Sequence, residues 1–376
     1  MSFIQSLQLH NFRCYDSVRM DGLHPGLVVL TGANGAGKTN ILEAVSLLTP
    51  GRGLRGASNE DMQKKGAAAG WAIASVVETG GASVQIGTGL EELGAKRGVR
   101  INGVSAKSQI ALADYLSAIW LTPQMDRIFI DTAGGRRRFF DKLVFAFDSS
   151  HAGRVTRYEN AMSQRSKLLR EQYSDPVWLA GLESQMAETG VAIAAARLEF
   201  VRKLQRACDL AHENEEGFFP KARLHLSGTV EELLGRAPAV EVEEMFAYQL
   251  KQSRPRDAET GGAATGPHKG DLLVRFAAKD MPADQCSTGE QKALLIGIIL
   301  AHARLLKAET GAPPILLLDE VAAHLDENRR AALFDLLIAT GGQVWMTGTD
   351  KSLFSAAENR AQFHAVEAGR IALKNG

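Results

Sequence analysis

Apolar and polar positions alternate through the opening stretch FIQSLQLHNF, with Phe3, Ile4, Leu7 and Leu9 as apolar members, and this predicts an edge-type strand. GLVVLTGANGAGKTNILEAVSLL then reads as a short apolar strand, a glycine-rich turn and a helix, the strand–loop–helix unit of a parallel sheet. AIASVVETGG, SVQIGTGL and VRINGV predict antiparallel strands to about residue 105. From about residue 130 the period lengthens. RVTRYENAMSQRSKLLREQY predicts one helix and YSDP a break. A second helix follows, with apolar positions at Leu179, Leu182, Met186, Ile193, Phe200 and Leu204. At ~1.5 Å per residue it extends about 50 Å, so the pair predicts an antiparallel helical arm. The polar stretch SRPRDAETGGAATGPHKGD reads as a loop. Beyond it, CSTGEQKALL opens a buried helix, PPILLLDE predicts a buried strand, NRRAALFDLLIA a helix and GQVWMTGTD another strand.

These elements predict an α/β domain built from both chain ends, residues 1–125 and 265–376, with a helical domain, residues 126–264, inserted between them. A length of 376 residues favours two units over one. Composition, with 45% hydrophobic and 23% charged residues, is that of a soluble globular protein. Lys plus Arg and Asp plus Glu are equal at 43 each, so a nucleic-acid surface has to be a local patch. Cys14, Cys208 and Cys286 lie far apart, which argues against a disulfide framework or zinc site and fits a reducing cytosol. The first residues lack a signal-peptide pattern, and His302 and Arg304 interrupt the longest apolar run, so the expected location is cytoplasmic without a membrane partner.

Candidate chemistry sharpens this picture. Gly32, Ala33, Asn34, Gly35, Ala36, Gly37, Lys38 and Thr39, followed by Asn40, match the phosphate-loop pattern G-x-x-x-x-G-K-[ST] between a predicted strand and a predicted helix. Phosphates need close backbone approach, which glycine permits, and the helix N-terminus supplies oriented N–H donors. Lys38 would reach the β- and γ-phosphates of ATP, and Thr39 would offer its hydroxyl to Mg2+. The strand ILLLDE ends in Asp319, which would hold Mg2+, and Glu320, which would orient or deprotonate the attacking water.

CSTGEQK resembles the signature motif of the ABC ATPase superfamily, with Cys286 to Glu290 standing where that family has Leu-Ser-Gly-Gly-Gln. The resemblance implies a P-loop ABC-type ATPase head in which Ser287, Thr288, Gly289 and Glu290 close over the γ-phosphate bound to a second subunit. Thr288 and Glu290 depart from the common form, and Ser287 followed by Glu290 also fits ordinary helix capping. Asp326 stands where the family has its subunit-crossing D-loop, and Gln124 where the Q-loop would reach the metal. Gly348 and Thr349 stand where many relatives have a switch histidine, which predicts slow turnover.

The insertion is short for the sustained coiled coils of SMC and Rad50 proteins. LQLHNFRCY, TNILEAVSLLTPGRGLR, GGRRRFFDKL and ATGPHKGDL together resemble the RecF family over about residues 2–350, with Lys269 and Gly270 departing from its Gly-Pro-His-Arg-Asp-Asp segment. The resemblance implies an ATP-dependent DNA-binding protein that dimerises head to head and binds DNA at gaps or junctions of single and double strands. It also implies that RecO and RecR join it to promote RecA loading, with weak, DNA-stimulated ATP hydrolysis as a reset and nucleoid association during repair. Arg136, Arg137, Arg138, Arg52 and Arg55 are the candidate DNA contacts, although three consecutive arginines span most of a helical turn and cannot all face one ligand. An ATPase subunit of an ABC transporter and a small-molecule kinase are the alternatives. The kinase leaves CSTGEQK without a role.

Overall fold

A computed structural model describes residues 2–90, 96–171, 175–213, 218–323 and 325–374, with backbone alone for residues 211–213 and 374. The chain divides into two compact units: Met1–Asp126 with Ile299–Gly376, and Arg127–Ile298.

The first unit holds two six-stranded sheets. One has the order Arg370–Lys374, Ala361–Glu367, Leu27–Thr31, Val344–Gly348, Ile315–Leu318, Ala118–Leu121, parallel throughout except for the terminal antiparallel pair. Every residue of Leu27–Thr31, Ile315–Leu318 and Val344–Gly348 is buried, which is why LVVLT and ILLL are unbroken apolar runs rather than alternating ones. The second sheet is antiparallel, running Tyr15–Met20, Phe3–Phe12, Ala72–Thr79, Ala82–Gly89, Gly98–Ile101, Val104–Ser105. Phe3–Phe12 is therefore not the edge strand its alternation predicts. It pairs on both sides, because the chain turns back at Arg13, in left-handed backbone at φ 54°, and lays Tyr15–Met20 beside it. Leu7, Phe12, Ile41, Leu42, Val45, Trp71, Ile73 and Trp345 share one buried core, which fixes the helix Lys38–Ser46 by its apolar face.

In the second unit, helices His151–Arg170 and Pro176–Glu213 form the arm; residues 172–174 of the predicted YSDP break lie outside the described residues. At ~1.5 Å per residue the 38-residue helix is about 57 Å long. Tyr158, Ala161 and Leu168 pack against Leu179, Leu182 and Met186, and Val242, Phe246 and Leu250 of a third helix, Ala239–Gln252, join this core. The arm is thus not a bare helical pair. Arg165, with 0% exposure, lies inside it, bonded to Glu183 Oε1 at 2.9 Å, Asp257 Oδ2 at 2.8 Å and the Leu250 carbonyl at 2.5 Å.

The stretch expected to be loop begins with a helix, Arg254–Thr260. Its proline sits in the first turn, where no N–H is required, and its Asp257 is tied to Arg165. Asp271–Phe276 then pairs antiparallel with Ala222–Ser227. This pairing groups residues 265–298 with the arm, whereas the patterning assigned them to the domain of the chain ends.

Half-buried His268 and buried His364 tie stability to pH. His268 Nε2 donates to the Ala263 carbonyl (3.0 Å) and its Nδ1 accepts from Tyr158 Oη (2.7 Å), and burial pushes its pKa from 6.5 down to about 4. Burial does the same to His364, also to about 4. The unfolded chain therefore binds these protons at higher pH than the folded chain does. Their contribution is complete above about pH 6.5 and is lost as pH falls towards 4. Urea titrations at pH 7 and pH 5 should show a loss on the order of 1–2 kcal/mol per histidine, and His364→Leu should flatten that slope.

Candidate nucleotide site

The strand Leu27–Thr31 delivers the chain into the glycine-rich loop, and the helix begins at Lys38. Two glycines are required by space as well as by backbone angle. A Cβ on Gly32 would stand 2.2 Å from the Val366 carbonyl oxygen, and one on Gly37, at φ 113°, would stand 2.6 Å from Tyr15 Oη. Ala33, Asn34 and Gly35 form an exposed crown, while Gly37 and Lys38 are buried below it. Lys38 Nζ donates to the carbonyls of Gly32 (2.7 Å) and Ala33 (2.9 Å). Burial pulls the Lys38 pKa below its ordinary value, and the carboxylates of Glu320 and Asp319 pull the other way. An incoming phosphate would find a charged ammonium already held by its own loop.

Asp319 lies one residue beyond the strand Ile315–Leu318, and its N–H donates to the Leu121 carbonyl at 2.8 Å. Thr39 Oγ1 stands 3.0 Å from each of its carboxylate oxygens, although 280 residues separate the two in sequence. The parallel sheet makes this meeting possible by ending both strands at the same edge. A hydroxyl and a buried carboxylate at this spacing suit Mg2+, a hard cation that takes few protein oxygens and completes its shell with phosphates and water. Glu320 follows in left-handed backbone at φ 54°. Gln124 lies on the short turn Pro123–Arg127, just past the strand that neighbours Asp319's strand, and is exposed.

Motif reading missed the residues that brace this loop. Tyr15 Oη donates to the Gly37 carbonyl at 3.0 Å, and burial raises its pKa far above the ordinary phenol value. Glu43, fully buried on the helix Lys38–Ser46, takes two bonds from Arg13, at 2.8 and 2.6 Å, and one from Arg55 at 2.9 Å. A buried acid in a helix otherwise facing an apolar core was the available signal, since such a group demands a cation. Arg55, a candidate DNA contact, is thus engaged with Glu43 and with Asn40 Oδ1 at 2.8 Å, while Arg52 is exposed.

At the opening of helix Thr288–Thr310, Ser287 Oγ accepts the Glu290 N–H at 3.4 Å, and Glu290 Oε2 accepts the Ser287 N–H at 3.0 Å. This is a reciprocal capping box. Lys279 and Ser287 together hold the Glu290 carboxyl down to about 2. Ser287 and Thr288 remain exposed, and nothing lies within 4 Å of where a Gly289 Cβ would be. A capped helix start with an open face can still receive an anion. Asp326 caps the helix Glu327–Thr340 through the Arg329 N–H at 2.9 Å; His324, inside the D-loop-like string, lies outside the described residues.

The arginine run divides by position on the helix Ala133–Phe145. Arg136 makes a bidentate pair with Asp271, at 2.8 and 2.6 Å, and Arg137 donates to the Gly270 carbonyl at 2.7 Å. Those two candidate DNA contacts thus tie the arginine run to the GPHKGD segment. Arg138 is exposed.

The model of the RecF/RecN/SMC N-terminal domain family matches residues 3–372. The chain is 51% identical over 376 residues to the DNA replication and repair protein RecF of Allorhizobium ampelinum, covering 99% of each. It is 47% identical over 371 residues to RecF of Rhizobium meliloti, covering 98% of each. Among solved structures it is similar to the recombination mediator protein RecF–ATP of the RecFOR pathway, with a TM-score of 0.83, 22% identity and coverage of 99% of each chain. The Smc head domain with an extended coiled coil from Pyrococcus furiosus gives a TM-score of 0.56 at 16% identity, covering 100% of this chain and 96% of that one.

Proposed function

The chain belongs to the RecF family of DNA replication and repair proteins, and we propose that it is an ATP-dependent, DNA-binding recombination mediator whose two copies close head to head on nucleotide. The observation that carries this reading is the meeting of Lys38 and Thr39 with Asp319 and Glu320 at one edge of the parallel sheet. In the ATP-loaded protein Lys38 leaves its loop carbonyls for the β- and γ-phosphates, and Thr39 with Asp319 holds Mg2+. Mg2+ supplies charge neutralisation at the phosphates, and Glu320 orients the attacking water. Ser287 and the helix start behind it complete the site of the other copy. Gln124 and Asp326 approach it from the neighbouring strand and across the subunit boundary. Slow hydrolysis, stimulated by DNA, then resets the dimer.

In this reading the protein acts at gaps or single–double-strand junctions, with RecO and RecR, to promote RecA loading. It would work in the cytoplasm, at the nucleoid during repair. A transporter subunit is not favoured, since the full-length relatives are repair proteins.

The test is duplex-DNA affinity across a salt series, with and without ATP. Binding should tighten with ATP, and Arg138→Gln should lower the salt slope by about one unit. Arg136→Gln should act on folding instead, because it leaves Asp271 without its partner. DNA affinity indifferent to ATP at every salt concentration would overturn the proposal.

A further inference from the structure

The strand Val344–Gly348 runs between the strand that feeds the phosphate loop and the strand that ends at Asp319. Its Thr347 is 1% exposed, and its hydroxyl makes one donated and one accepted bond. Thr347 Oγ1 donates to Asp319 Oδ1 at 2.7 Å and accepts the N–H of Glu320 at 2.9 Å. One hydroxyl thus touches both acidic residues of the nucleotide site, from a strand that carries neither.

We infer that Thr347 is the positioning residue of this site: its hydroxyl sets the rotation of the Asp319 carboxylate towards Thr39 and holds the backbone of Glu320 in the left-handed conformation that aims its side chain. The inference rests on the nucleotide-site reading above. Glu320 needs such a hold because a non-glycine residue at φ 54° gives up backbone energy, and the bond to Thr347 offsets that cost. Asp319 needs it because Thr39 Oγ1 sits equally far from both carboxylate oxygens and so does not select one of them. Thr347 breaks that symmetry by taking Oδ1 alone.

The next position along the strand offers no substitute. A Cβ on Gly348 would fall 2.5 Å from the ring of the buried Phe354, so no side chain fits there without moving that ring. The hold that this strand exerts on Asp319 and Glu320 therefore falls to Thr347.

The experiment uses the full chain with Thr347→Ser, which keeps the hydroxyl, and Thr347→Val, which keeps the shape. Thr347→Ala carries the same comparison should valine unfold the protein. Affinity for fluorescent mant-ATP is measured in EDTA and across a Mg2+ series, beside single-turnover hydrolysis. In EDTA all forms should bind alike, within about twofold, because Lys38 and the loop are untouched. Mg2+ should tighten binding in the wild type and in Ser, and that response should fall by about tenfold or more in Val or Ala, with single-turnover hydrolysis falling and the half-saturating ATP concentration in Mg2+ rising likewise. Serine failing as badly as valine would assign the loss to packing and overturn the inference. So would a valine variant with an unaltered Mg2+ response. A wild type that binds Mg–ATP but stays monomeric sinks the dimer proposal alone, and the Ser–Val comparison still decides Thr347.

Discussion

Glu320→Gln is expected to hold the protein as an ATP-bound dimer, and Lys38→Met to keep it monomeric at any ATP concentration. The two variants act on opposite sides of one event. Glu320 sits beside the Asp319–Thr39 pair, and glutamine in its place retains the shape and the Thr347 bond to the backbone N–H, so nucleotide binding survives. What is lost is the carboxylate that orients water, and hydrolysis should fall by about 10²–10⁴-fold. A dimer that closes on ATP and opens on hydrolysis would then accumulate. Lys38→Met removes the ammonium held at the base of the phosphate loop and leaves an apolar stem among the carbonyls of Gly32 and Ala33. The γ-phosphate loses its charge-assisted bond, and the joint between copies loses its ligand. Gel filtration with light scattering reads both outcomes. A Glu320→Gln chain that remains monomeric with ATP bound would refute the closing step.

Arg165→Ala should cost about 3–5 kcal/mol of unfolding free energy, read by urea titration of the full chain. The guanidinium is buried at 0% exposure among Glu183, Asp257 and the Leu250 carbonyl, and truncation strands those partners unequally. Glu183 keeps Arg254, at 2.9 and 2.6 Å, whereas among the described residues Asp257 keeps the neutral donors Ser253 Oγ at 2.6 Å and the Ala264 N–H at 2.9 Å. The penalty therefore falls mainly on Asp257. Adding Asp257→Asn to Arg165→Ala should restore part of the loss, since a neutral amide no longer needs a cation. A double variant weaker by the sum of both single effects would mean that the charges were not coupled.

Arg165 also shows where patterning stops. Its place in the arm helix was legible, because apolar residues recur at helical spacing around it. Its partners were not, since Glu183 and Asp257 lie 18 and 92 residues away and no local rule pairs them. The arginine run behaved the same way. Helical geometry alone required Arg136, Arg137 and Arg138 to diverge, but only the pairing of Asp271–Phe276 with Ala222–Ser227 brings Asp271 to Arg136. Phe3–Phe12 was legible as a strand but not as an inner one, because its edge depends on what Tyr15–Met20 does.

By itself the sequence determined the local chemistry: a glycine-rich turn before Lys38 and Thr39, an apolar strand ending in Asp319 and Glu320, and a serine-capped helix at Ser287. Each depends on neighbours a few residues apart, whose backbone angles and capping groups act at short range. The tertiary structure decided which of these residues meet. Thr39 reaches Asp319 across 280 residues because a parallel sheet ends both strands at one edge, and Thr347 bonds to Asp319 because its strand was laid between the two. Strand order is set by burial of whole sheet faces, a property that no short window of residues contains.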